Sequence, residues 1–496
     1  MPVPHAEAAV QDTFVAGSGS VNEKPGGSGF SFNMDVFIMS SSDTSDPAGD
    51  PAPVSVFTPK KWWFLVFVIF GLGSIIGLCS AGLSFLLEFV QQYILGAAES
   101  LHNPTPFGSP WWRRLASAAC ISVFAAVIWW LIRRRSRIPS VSGAVHGDSM
   151  PAGRTFIHVL TQIIIVGAGM SVGRETAPRE LGAMLGQKLS QRFRLSRNDM
   201  AVIIAVGAGA GFAGVYNAPL TGMFFAVEVL LTDTDIIVAA TALGTSAVAA
   251  FIGGLLKGTS VFYSVTGLTV SWQIILFAVV LGPVAGICGY IFRLLTQWAN
   301  TNSERTSQIL WMLPLAGLLT GVAAVWLPQV MGNGRAMAQT AYNSVSITVI
   351  PLLLILIAAK TSLTVLTIRS GASGGMLTPA VAVGGAIGAI AGIGWAYLFP
   401  NVTAGACAFI VNAAFLAASQ KAPLMASVFM LEITHASISF IIPVGIAVAL
   451  SMLVSSWLPS SRLHRLCRAE AAGKEGLLSG SGSAAEAPAA IRDQQA

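Results

Sequence analysis

The chain has 496 residues, 54% of them hydrophobic and only 10% charged, with a formal net charge of +6, whereas a soluble domain carries about 25% charged residues. Residues 1–61 hold 10 of the 50 charges and residues 462–496 hold 9, which leaves 31 for the 400 residues between. That middle cannot cover several cores with polar surface, so a soluble enzyme or a nucleic-acid binder is excluded, and the basic balance reads as the loop charge of a multi-pass protein of the cell membrane.

Residues 1–59 are rich in Ser, Gly, Pro and Asp and lack an apolar core, which predicts a disordered acidic cytoplasmic tail rather than a signal peptide. The transmembrane domain is expected over 60–461. Its first apolar run, Trp62 to about Leu95, follows Lys60 and Lys61, and its second, 115–131, is followed by Arg133, Arg134, Arg135 and Arg137. Both basic clusters belong on the cytoplasmic side, so the two runs form an antiparallel pair and the N-terminal tail lies inside. The first run exceeds the roughly 20 residues that a bilayer needs and predicts a tilted helix. Beyond Arg137 the apolar stretches shorten and are broken by Gly, Pro and Ser at 140–147, 167–178, 207–219 and 371–379. Irregular backbone at membrane depth is tolerated only where protein or a polar cavity surrounds it, so these breaks mark candidate binding sites. Further apolar segments lie near 236–255, 273–298, 309–327, 348–368, 380–399, 405–433 and 436–457, and 462–496 reads as a short cytoplasmic tail. Trp111, Trp112, Trp129, Trp130, Trp326 and Trp457 read as interface anchors. Cys79, Cys120, Cys288, Cys407 and Cys467 show no CxxC spacing, so no disulfide framework, metal site or cofactor follows.

The chain repeats itself. At an offset of 202, Gly173, Gly182 and Gly186 fall on Gly375, Gly384 and Gly388, and at an offset of 204, Ala218-Pro219-Leu220, Phe225 and Glu228 fall on Ala422-Pro423-Leu424, Phe429 and Glu432. Duplicated halves with glycine-broken helices are a signature of transporter folds with a site at the repeat interface; the halves are expected at about 60–255 and 270–460. Close packing of helices through small residues accounts for the glycines. It does not account for the paired glutamates.

Five acids fall at membrane depth, Glu88, Glu175, Glu180, Glu228 and Glu432, where a charge is costly unless paired, neutralised or wet. Glu175 follows Gly173-Arg174 and opens an apolar helix running to about 189. A helix N-terminus stabilises an anion, either a small ion or this carboxylate itself. The same logic applies to Ser142 and Gly143, and to the run from Gly374 to Pro379, where glycine lets backbone approach a ligand and a hydroxyl or free N–H donates. A plain N-cap role for Ser142 is the alternative. Lys360 either adds positive potential to an anion path or is a paired or snorkelling lysine. His435 reads as a helix-end histidine, and Glu228 and Glu432 as satisfied buried carboxylates.

In this order the segments resemble the CLC family of chloride channels and proton/chloride exchangers. Val141-Ser142-Gly143 is similar to the family's Gly-Ser-Gly-Ile-Pro segment, Gly173-Arg174-Glu175 to Gly-Arg-Glu-Gly-Pro, and Gly375-Met376-Leu377-Thr378-Pro379 to Gly-x-Phe-x-Pro. Asn217-Ala218-Pro219-Leu220 with Gly222, Phe225 and Glu228 matches a fourth. The resemblance covers about 60–460. It implies an all-α inverted-repeat membrane fold with many tilted and broken helices, a homodimer with one anion pathway per subunit. It also implies a gate at Glu175, anion binding by Ser142, Gly143, Gly173, Arg174, Gly375, Met376 and Leu377, and a place for Glu228 on a proton path. Chloride is then the transported ion and no cofactor is expected.

Five departures from the family pattern bear on that reading. Thr176-Ala177 stands for Gly-Pro with Pro178 one residue late, which predicts a distorted helix start, and Leu377 replaces Phe. The six tyrosines end at Tyr397, so the family's pore tyrosine has no counterpart. Val229 stands where proton-coupled members carry glutamate, and no regulatory cystathionine-synthase-like domains are expected. The reading is channel-like transport of chloride or a similar small inorganic anion past a glutamate gate. A proton-coupled chloride antiporter, with protons as a second partner, is the alternative within the family, and an inverted-repeat transporter of an organic solute the alternative outside it. Membrane lipid is the surrounding partner in each case, and no nucleic acid is involved.

Overall fold

The computed structural model describes residues 62–97, 106–135, 138–231, 234–304 and 306–458, and the two tails expected from the sequence lie outside them. In chain order the helices are α1 (Trp62–Leu95), α2 (Trp111–Arg135), α3 (Val141–Val145), α4 (Ala152–Gly167), α5 (Thr176–Arg192), α6 (Arg197–Tyr216), α7 (Pro219–Leu230) and α8 (Ile236–Lys257). They continue as α9 (Trp272–Thr301), α10 (Ile309–Trp326), α11 (Arg335–Tyr342), α12 (Ile350–Arg369), α13 (Leu377–Leu398), α14 (Ala404–Gln420), α15 (Pro423–Thr434) and α16 (Ile441–Trp457). Among the described residues no strand forms, nine helices are long and apolar enough to cross a membrane, and the one extended pairing is an isolated antiparallel bridge between Gly173 and Gly375.

The single apolar segment expected over 405–433 is two helices. Lys421 turns left-handed at φ +56° and ends α14, and Pro423 opens α15. Asn217, at φ +53°, and Pro219 do the same between α6 and α7, 204 residues earlier. The break expected from Gly207 to Pro219 is correspondingly short, because α6 runs without interruption to Tyr216.

The glycines of α6 pack helices. A Cβ on Gly207 would collide with Gly182 O of α5, one on Gly209 with Gly222 O of α7, and one on Gly214 with the side chain of Ser80 of α1, so two backbones and a small side chain approach one helix. In lipid the tails are as apolar as leucine, and such close van der Waals contact is what holds helices together. In the second half Gly384, Gly388 and Gly392 of α13 admit Phe415, Ala408 and Cys407 of α14 in the same way. Both α6 and α14 are buried along most of their length, and the other helices surround them.

Trp111, Trp112, Trp326 and Trp457 are exposed, as anchors require. Trp129 corrects that expectation: it is fully buried, and its indole Nε1 donates to His158 Nδ1 at 2.9 Å.

Gly207→Val is expected to destabilise the protein by about 1–3 kcal/mol through overpacking, read as a lower melting temperature in detergent. Gly82→Val, at a position where a Cβ meets nothing within 4 Å, is expected to leave it unchanged.

Candidate anion site

Two loops from the two halves make the site. After α4, Gly169 turns left-handed at φ +104°, and after α12, Gly371 does so at φ +98°, 202 residues later. Both chains then run extended and meet: Gly173 N donates to Gly375 O at 2.7 Å and Gly375 N to Gly173 O at 2.9 Å. This bridge sets the start of α5 beside the start of α13.

Glu175 occupies the N-cap position of α5, yet its side chain makes no cap bond there. It crosses instead to the N-terminus of α13. Oε1 accepts from Leu377 N at 2.7 Å and from Thr378 N at 3.4 Å, and Oε2 accepts from the Thr378 hydroxyl at 3.0 Å. The carboxylate is fully buried, and the free N–H groups and dipole of a 22-residue helix compensate its charge. A Cβ on Gly173 would strike the carboxylate oxygens and the Thr378 hydroxyl, and one on Gly375 would strike the carboxylate itself, so glycine is required at both ends of the bridge. Arg179 secures the turn from below, donating from Nε to Glu175 O at 2.8 Å and from Nη2 to Thr176 Oγ1 at 2.9 Å.

The structure thus brings Gly173, Glu175, Gly375 and Leu377 together. Thr378, which the sequence reading left out of the site, supplies two of the three donors, because Met376 is the N-cap of α13 and the first free N–H groups belong to the next two residues. The late proline does not distort α5: Pro178 falls in the first turn, where its missing N–H needs no partner. The Arg174 guanidinium is stacked on Tyr216 at 5.2 Å and Phe262 at 4.9 Å. With Lys257, Arg335 and Glu88 it lines a cavity of about 140 Å³.

Ser142 and Gly143 belong to a different environment. Ser142 is exposed on α3, and the N-cap of that helix is Ser140, whose hydroxyl accepts from Gly143 N at 3.1 Å. A Cβ on Gly143 would meet Asp148 and Ser140. The signal that places this family segment better is its Ile-Pro, found here at Ile138-Pro139, which moves the matching serine to Ser136, outside the described residues.

The remaining candidates are structural in geometry. Lys360 is fully buried and donates to Val330 O at 3.0 Å and Gly332 O at 2.7 Å, clamping the loop before α11. Glu228 of α7 accepts from Leu424 N at 3.0 Å and Met425 N at 2.7 Å at the start of α15. Glu432 of α15 returns the contact, accepting from Leu220 N at 2.9 Å and Thr221 N at 2.8 Å at the start of α7. Each half caps the half-helix of the other. His435 ends α15 in the left-handed conformation, as a helix-end residue does.

With this geometry in view, comparison with known proteins identifies the family. Its voltage gated chloride channel profile matches residues 121–456, more than half of the chain. The chain belongs to that family. This CLC protein is 29% identical over 370 residues to the voltage-gated ClC-type chloride channel ClcB of Salmonella dublin, covering 70% of this chain and 85% of the relative. It is 30% identical over 366 residues to ClcB of Escherichia coli O17:K52:H18, with the same coverage. In fold it is similar to a slow cyanobacterial Cl−/H+ antiporter, with a TM-score of 0.69 at 23% identity over 83% of this chain and 99% of the other. It is also similar to a CLC-type fluoride/proton antiporter, with a TM-score of 0.59 at 20% identity over 80% and 97%. The CLC protein has the inverted-repeat all-α fold of its family, carries out CLC-type chloride transport rather than enzymatic chemistry, and is a multi-pass protein of the cell membrane.

Gly375→Ala places its methyl group on the Glu175 carboxylate, and a loss of about 1–3 kcal/mol is expected from the strain. Adding Glu175→Ala removes the colliding atoms. The double variant is therefore expected to melt above Gly375→Ala alone, a non-additivity that thermal unfolding in detergent measures.

Proposed function

We propose that this CLC protein conducts chloride or a similar small inorganic anion through the N-terminus of α13, with the Glu175 carboxylate as gate. One observation carries the reading: a buried carboxylate stands on two backbone N–H groups and a hydroxyl, a donor set suited to a small anion. Carboxylate and chloride cannot share these donors, because two negative charges a few ångströms apart repel by about 4 kcal/mol even at an effective dielectric of 20. They alternate, and protonation releases the carboxylate. Arg174, Lys257 and Arg335 raise the anion concentration in the adjoining cavity. At about 140 Å³ that cavity is smaller than the roughly 300–1,000 Å³ of small-molecule pockets, which supports an inorganic ion over an organic solute.

The flux is read as uncoupled from protons. Val229 cannot bind a proton, and both oxygens of Glu228 are engaged in capping α15. The naming of the bacterial relatives as chloride channels agrees with this. The halves are read as about 60–255 and 270–460, with both tails in the cytoplasm. A homodimer is supported by Leu220, Val229, Leu424 and Ile442, 40–55% exposed, beside the part-buried Glu228 and Glu432. A second copy on this face withdraws two carboxylates from lipid.

Glu175→Gln keeps the shape of the gate and cannot titrate. Chloride efflux from liposomes is expected to vary with pH in the parent and to be flat in this variant between about pH 4 and 7, where protein carboxyls titrate; an unchanged profile would remove Glu175 as the gate. Reversal potential under a chloride gradient with an opposing pH gradient decides the coupling. It is expected to follow chloride alone, and a value that moves with the pH gradient establishes exchange.

A further inference from the structure

A second set of titratable side chains lies apart from the donors of Glu175. Glu180 of α5, His158 and Gln162 of α4 and Trp129 of α2 are each more than nine-tenths buried. Gln162 Nε2 donates to Glu180 Oε2 at 2.6 Å, His158 Nε2 stands 3.4 Å from the same oxygen, and Trp129 Nε1 donates to His158 Nδ1 at 2.9 Å. An indole N–H can only donate, so Nδ1 is an acceptor and the ring carries its proton on Nε2, facing the carboxylate. A proton added at Nδ1 would set two donors against each other. The imidazole is therefore held neutral, and Glu180 is the group in this cluster able to take up a proton.

Gln162 fits both states of that carboxyl. Its Oε1 is buried with no donor in reach. Against an ionised Glu180 the amide presents its NH₂; after half a turn about its last bond it presents Oε1 to a carboxylic O–H. Neither state requires the backbone to move.

The charged and titratable surroundings are few. On α5 itself Arg179 adjoins Glu180 in the chain and donates to Glu175 O at 2.8 Å, its guanidinium over the rings of Phe212 and Phe225, and on α2 Arg133 lies over the Trp129 ring at 5.7 Å. The packed face of α6 presents Ile203, Gly207 and Gly211 to α5, with Phe212 against the Arg179 guanidinium at 5.8 Å and the titratable Tyr216 beside that ring. The one acid of α1, Glu88, lines the cavity with Lys257, and α3 carries no charge. Arg179 is thus the link between the two glutamates, since it also grips the turn that carries Glu175.

We propose that Glu180 is a second proton-binding site, whose occupancy biases the gate through Arg179. A hydronium ion gives up one proton, its O–H bond breaks, an O–H bond forms on the Glu180 carboxyl, and Gln162 Oε1 accepts it. With Glu180 neutral, the Arg179 charge acts on Glu175 alone and a neighbouring negative charge is gone, so Glu175 gives up its carboxylate form less readily.

Infrared difference spectra of the full chain in liposomes, taken between about pH 4 and pH 8 to span carboxyl titration, test the site directly. A carboxylic C=O band is expected that persists in Glu175→Gln, disappears in Glu180→Gln and shifts in Gln162→Leu. A band set untouched by Glu180→Gln overturns the proposal; if that variant does not fold, an unshifted band in Gln162→Leu overturns it. In chloride efflux, Glu180→Gln is expected to move the half-activation pH toward acid, and an unmoved midpoint overturns the link through Arg179. The link rests on the gate reading of Glu175 and the infrared band does not: flux without any pH dependence in the parent would fail the gate and leave the band to decide Glu180.

Discussion

A negative charge sealed in an apolar interior has to be met by oriented dipoles, and here the dipoles come from the other half of the chain. The Glu175 carboxylate lies against the N-terminus of α13, with Leu377 and Thr378 as its donors. Much else follows from that contact. The Gly173 to Gly375 bridge brings the two helix starts together, glycine is needed at both positions because the carboxylate fills the space a Cβ would take, and Arg179 holds the turn from which the carboxylate reaches across. Backbone donors suit such a site because they are fixed in direction and cannot collapse onto the charge as a flexible cation would.

The repeat explains why there is one such site in each chain. At the offset of 202 that aligns the two glycines, Glu175 falls on Leu377. One half therefore contributes the carboxylate and the other, at the same structural position, contributes an N–H behind an apolar side chain. The contact between α7 and α15 shows the opposite outcome. Glu228 and Glu432 were both retained at their repeat positions, each caps the helix of the other half, and the result is a symmetric clamp.

The spans were legible in the sequence because long apolar runs between basic clusters have few alternatives, and the shifted repeat located the paired helix starts. Glycine was ambiguous, since the same residue breaks a helix at Gly169 and packs one at Gly207, and only the three-dimensional neighbour distinguishes them. Ser142 lost its place because a cap is a matter of one or two positions, and Ser140 stood as close to the helix start. Thr378 was hidden by the same one-residue uncertainty at α13. Trp129 looked like an anchor from its position near a helix end. Its role depends on His158 and Glu180, two titratable residues on buried helix faces whose need for partners was the available clue.

The separation of Glu175 from its donors also has a consequence in time. The carboxylate belongs to a segment made 202 residues before Leu377, and at roughly 5–20 residues per second of synthesis the donors arrive about 10–40 s later. Throughout that interval the first half stands in the membrane with its central acid unmatched, so the acid has to face water or hold a proton until α13 is made. The donor set of Glu175 is therefore complete only once α13 has been inserted.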